Sequence, residues 1–194
     1  RMSSVPRCLG LCVGDLEGLV SRACAAEAGV VAGDASGSVV AACVDADPIR
    51  HDAALRQASA HDTAWLDVTV SAKRGTSGKL IAVGEASAAA GIPKIVWPVR
   101  VSPGRWRVRE AATAMDRALL VERLISLDAS ELGLAEMRIE TPMVDLDDEQ
   151  LAELAADMAV SLHLCWWWGD ASQAATDARE HWRGALGRFG LSVA

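Results

Sequence analysis

The feature that most constrains this chain is an alternation. Short apolar runs at residues 8–13, 39–44, 64–70, 95–101 and 137–141 are separated by Ala-rich stretches with helical spacing. Runs of that length suit buried strands, and joining parallel strands takes a helix-length crossover, so the rhythm predicts a parallel sheet with helices on both faces. After the first run, Leu16, Leu19, Val20 and Ala23 recur at helical spacing, with Gly29 placed as a C-terminal cap. Further helices are expected at 48–59, at 77–90 before Gly91 and Pro93, and at 109–127, where Ala112, Met115, Leu119, Leu120 and Leu124 form the apolar side. Asp147 with Gln150 makes a capping-box pattern for a helix to about residue 158, and a last helix covers 172–189. The expected fold is one doubly wound, Rossmann-like α/β domain with five parallel strands. Such sheets take ligands at the carboxyl ends of their strands, where the strand order reverses.

Charge narrows the partners. A net charge of -7 over 194 residues supplies no broad cationic field, which argues against nucleic acid and against an anionic membrane surface as partners. The densest basic stretch is Lys73 to Arg109, with Arg105 and Arg107 inside it, and the acidic residues gather from Glu131 to Asp157. No apolar run reaches the 18 or so residues of a membrane span, and the first residues lack the order of a signal peptide. Cys8, Cys12, Cys24, Cys43 and Cys165 are odd in number and lack short paired spacings, so reduced thiols and a cytoplasmic location are expected. Arg1 before Met2 is read as an added residue.

Two segments carry a resemblance. Leu11, Cys12, Val13, Gly14, Asp15, Leu16, Glu17 and Gly18 lie where a pyrophosphate loop has an apolar pair followed by Ser-Gly-Gly-Leu-Asp-Ser. Near the other end, the run from Arg138 through Thr141, Pro142, Met143, Val144, Asp145 and Leu146 precedes an acidic helix start, and Leu164, Cys165 and Trp166 stand on a Leu-Thr-Trp. In these places the chain resembles the 7-cyano-7-deazaguanine synthases, PP-loop ATP pyrophosphatases of queuosine biosynthesis. The resemblance implies the adenine nucleotide alpha hydrolase variant of the fold, ATP and magnesium as cofactors, a nucleotide or small-molecule ligand, and a homodimer. It places the nucleotide at Val13, Gly14, Asp15, Glu17 and Gly18.

The departures weigh on that implication. A phosphate loop works through small residues and hydroxyls that let backbone N–H groups reach phosphate oxygens at a helix N-terminus. Here Val13 and Gly18 replace hydroxyls, and Asp15 puts a carboxylate where the second glycine belongs. Asp15 also suits a helix N-cap and Glu17 a first-turn charge, which makes the segment structural. The family's zinc knuckle, four cysteines with seven, two and two residues between them, falls on Trp168, Thr176, Arg179 and Trp182, so no zinc is expected. Ala175, Ala178, Trp182, Ala185, Leu186 and Phe189 would instead dock the last helix by burial.

Other constellations are weaker. Gly75 to Lys79 lacks the first glycine and the hydroxyl of a Walker loop and reads as a loop entering a helix, although Arg74, Thr76 and Ser77 could line the ligand crevice. His51 with Asp52 and His61 with Asp62 read as solvated helix ends, and Asp145, Asp147 and Asp148 as capping residues. Trp166, Trp167 and Trp168 cannot all point inward, leaving a buried tail anchor or a dimer or ligand platform. Two functions stay open: a non-catalytic binding or assembly protein with at most weak nucleotide affinity, and an ATP-dependent adenylating enzyme with Asp15 and Glu17 on magnesium and arginines near Arg105 on the substrate.

Overall fold

The computed structural model describes residues 8–31, 39–45, 47–71, 73–101, 108–134 and 136–193. Five strands, β1 (Cys8–Leu11), β2 (Val39–Ala42), β3 (Ala64–Trp65), β4 (Lys94–Val96) and β5 (Arg138–Glu140), form one all-parallel sheet in the order β3-β2-β1-β4-β5. Leu9 of β1 pairs with Val40 on one side and Ile95 on the other. Between and after the strands come α1 (Leu16–Val31), α2 (Pro48–Ala60), α3 (Thr76–Ala89), α4 (Val108–Glu131), α5 (Asp148–Asp157) and α6 (Gln173–Arg188). The expected doubly wound, Rossmann-like fold is the one the chain adopts.

The chain winds outward from β1 to β3, then crosses back to β4 and β5. Right-handed crossovers put α1 and α2 on one face and α3 and α4 on the other. The α3/α4 face buries Leu9, Leu11, Leu80, Val83, Val121 and Ile125. On the opposite side Leu16, Leu19, Leu151, Trp167, Trp182 and Leu186 join α1, α5 and α6. The α6 stripe matches its expectation: Ala175, Trp182 and Leu186 are buried, while Ala178, Ala185 and Phe189 pack against them. The capping box also forms, with Asp147 Oδ1 accepting from Gln150 N at 2.8 Å and Gln150 Oε1 accepting from Asp147 N at 2.9 Å.

Three expectations are corrected. The strands are shorter than their apolar runs: β3 has two residues, and β4 ends at Val96, two residues before Pro98, which has no N–H for a ladder. Gly29 does not cap α1, which continues to Val31. The third correction concerns α4. Its buried face is Ala111, Ala114, Ala118, Val121, Ile125 and Ala129, whereas Met115, Leu119, Leu120 and Leu124 are exposed. Close approach explains the choice: a Cβ on Gly84 of α3 would overlap Ile125 Cδ1, so small residues let α4 settle where leucines would hold it off. Among the described residues, no helix is long and apolar enough to cross a membrane.

Candidate functional site

In this strand order the switch point lies between β1 and β4, so the turns leaving those strands face one another. The β1 turn brings Val13, Gly14, Asp15, Glu17 and Gly18 together at the start of α1. Gly14 has φ +73°, and a Cβ there would overlap the Arg50 carbonyl oxygen of α2. Its own carbonyl accepts from Trp166 N at 2.6 Å. At Gly18 the fit is tight, since an added Cβ would lie 3.2 Å from Val13 N.

Asp15 caps α1. Its Oδ1 accepts from Gly18 N at 3.1 Å, and its carbonyl accepts from Leu19 N at 3.3 Å. Arg50 approaches Asp15 Oδ2 at 4.0 Å, and Gln57 Nε2 donates to the carbonyls of Asp15 and Leu164 at 3.2 and 3.3 Å. Burial, and after it the neighbouring Glu17 charge, push the Asp15 carboxyl up to about 8, against the smaller opposing pull of the Gly18 N–H. The amide that a phosphate oxygen would seek is therefore held by the protein's own carboxyl group.

Arg100, from the β4 turn, closes the other half of the crevice. Its Nε donates to Glu17 Oε1 at 3.1 Å and its Nη1 to Asp148 Oδ1 at 2.7 Å, with the side chain only 6% exposed. The guanidinium also lies over the Trp182 ring, 5.0 Å from its centroid, and His181 Nε2 stands 3.3 Å from the second oxygen of Asp148. One cation thus ties β4 to α1, α5 and α6 across the switch point. Cys12, pushed up to about 12 by burial, and the similarly raised Cys43 and Cys165 stay protonated thiols beside this turn.

These residues do not fit a nucleotide's phosphate tail with magnesium. The carboxyl of Asp15 fills the position at the α1 N-terminus, and both Asp15 and Glu17 already face arginines. Among the described residues, no group of three or more His, Cys, Asp or Glu side chains could hold a metal ion.

The knuckle positions have a different occupant. Arg179 donates through Nη1 to the carbonyls of Trp167 and Asp170, the latter at 2.8 Å, and through Nη2 to Thr176 Oγ1 at 3.1 Å. A guanidinium crosslinks the loop before α6 to its first turns. Trp182 is buried, Trp167 is buried with its Nε1 unpartnered, and Trp166 and Trp168 pack half-buried on the same core, Trp166 under Arg50 at 4.6 Å.

The remaining candidates lie elsewhere. Ser77 accepts from Arg117 Nε at 3.1 Å and Arg74 turns back on Gly78, bonds that belong to the α3/α4 side. Residues 75–79 enter α3 with no side-chain cap. His51 meets the Trp65 ring edge-on, and Asp52 pairs with Arg56. Arg105 and Arg107 lie outside the described residues. Sequence reasoning missed Arg50, Gln57, Arg100 and Asp148 as partners of the turn. For Arg100 the clue is topological, because this strand order sets the turn after β4 opposite the turn after β1.

Comparison with known proteins finds no family model that matches the chain and no curated protein that matches it.

Proposed function

We propose that this chain is a divergent PP-loop-type protein without synthase activity, which acts by binding or assembly and has at most weak affinity for an adenine nucleotide. The observation that carries this reading is the Asp15 cap on the Gly18 amide. A phosphate brought to this turn would meet that carboxyl group in either of two states. Ionised, it repels a phosphate charge about 4 Å away by roughly 4 kcal/mol at an effective dielectric of 20. Protonated, it still occupies the amide. Arg100 would otherwise be the natural phosphate ligand at the switch point, but Glu17 and Asp148 neutralise it.

The competing reading is an ATP-dependent enzyme that adenylates a small acid, with Asp15 and Glu17 as magnesium ligands. It requires Asp15 to leave the Gly18 amide and both carboxylates to leave their arginines. Calorimetric titration with ATP and magnesium, paired with a pyrophosphate-release assay over small carboxylic acids, separates the two. The proposal expects millimolar binding at best and no sustained release of pyrophosphate. Steady turnover with any of the acids would establish the enzyme instead.

A further inference from the structure

The outward face of α4 bears an apolar stripe unlike the rest of the surface. Leu119 is 59% exposed and Leu120 72%, with Met115, Leu124 and Leu127 each about half exposed. At 3.6 residues per turn, Ala112, Asp116, Leu119, Leu120, Arg123 and Leu127 share one face, directly opposite the buried Ala114, Ala118, Val121 and Ile125. Over 24 residues this face runs about 36 Å. Exposed apolar surface of this extent marks an interaction site, and the charges set within it say which kind.

Asp116 and Arg123 are the charged residues that flank Leu119 and Leu120 on that face, and Arg109 lies on it nearer the helix N-terminus. The residues three and four positions from Asp116 are Ala112, Thr113, Leu119 and Leu120; those around Arg123 are Leu119, Leu120, Ser126 and Leu127. Neither charge has an intrahelical counterion, and neither joins an ion pair or hydrogen bond among the described residues. Their midpoint falls between Leu119 and Leu120. A second α4 laid antiparallel about a twofold axis at that midpoint sets Asp116 against the partner's Arg123, and Arg123 against the partner's Asp116. It also sets Ala112 against the partner's Leu127 and packs Leu119 on the partner's Leu120, and Leu120 on the partner's Leu119. A parallel pairing would stack Asp116 on Asp116 and Arg123 on Arg123, so the charges select one orientation.

We propose that this face is a homodimer interface in which two copies of the chain pair their α4 helices antiparallel, with Leu119 and Leu120 at the centre and two Asp116–Arg123 ion pairs flanking them. The contact is isologous, as a twofold axis requires. Beside it, a cleft of about 430 Å³ between α3 and α4, walled by Ile81, Leu120 and Leu124, offers apolar sides to the partner's leucines. The interface lies away from the β1–α1 turn and does not depend on what that turn binds.

Sedimentation equilibrium on the whole chain tests it. The wild type is expected to be dimeric, and Leu120→Glu monomeric with an unchanged circular dichroism spectrum. Asp116→Arg and Arg123→Asp should each weaken the dimer about tenfold or more, because each places like charges together twice. The double variant Asp116→Arg with Arg123→Asp restores both pairs and should recover wild-type affinity. A wild type that is monomeric at every concentration, a dimer indifferent to the single reversals, or a double variant as weak as the singles would overturn the proposal.

Discussion

The β1–α1 turn and the segment leading into α6 are the two places where the PP-loop resemblance implies an external ligand, phosphate at one and zinc at the other. In both the chain supplies its own side chain, but the two substitutions differ in electrostatic cost. Arg179 brings one cation to two carbonyls and a hydroxyl, so the charge is well solvated by backbone dipoles. Asp15 and Glu17 bring two carboxylates to one helix start, and burial first, with the neighbouring Glu17 charge after it, raises the Asp15 carboxyl. The guanidinium on its carbonyls makes a settled crosslink, whereas the paired carboxylates leave a turn under electrostatic tension, held together by Arg100.

Arg100 carries the largest share of this difference. Arg100→Ala strands Glu17 and Asp148, and is expected to lower unfolding stability by about 3 kcal/mol in a urea titration. Next comes Arg179→Ala, expected to cost about 1–3 kcal/mol by leaving the Trp167 and Asp170 carbonyls without their donor. In the wild type, EDTA should leave the melting temperature unchanged, because the Arg179 bonds and the buried Trp182 and Leu186 hold α6 to the body; a large drop would show that a metal holds it instead.

Asp15→Asn is the smallest effect and the sharpest in sign. The folded carboxyl sits at about 8 against an ordinary value of 3.8, so its ionisation opposes folding progressively as pH rises between the two. Asn keeps the cap without the charge. The variant should gain little at pH 4 and about 1.4 kcal/mol or more at pH 8, the equivalent of one pKa unit. A gain that shrinks as pH rises would contradict the tension assigned to this turn.

Sequence carried the element order because β and α periods are local, and Asp147 with Gln150 and the Trp182 stripe are local as well. It failed where neighbours decide. The α4 leucines have the stronger hydrophobic signal, yet the sheet accepts the alanine face because Gly84 and Ile125 set the helix close. Val68 and Val70 extend the β3 pattern, but the paired strand stops at Trp65. At the site, the turn was readable in Gly14, Asp15 and Glu17, whereas Arg100, 83 residues away from Glu17, meets it only through the folded topology.

The Asp15 carboxyl group holds the Gly18 amide that a phosphate at this turn would need. Following the Gly18 amide by ¹⁵N NMR while magnesium and ATP are added tests this directly, in the wild type and in Asp15→Gly, a change that costs the cap only a few tenths of a kcal/mol. The prediction is a Gly18 resonance that stays still in the wild type and shifts in the variant. A wild-type Gly18 amide that moves and saturates at submillimolar ATP would contradict it.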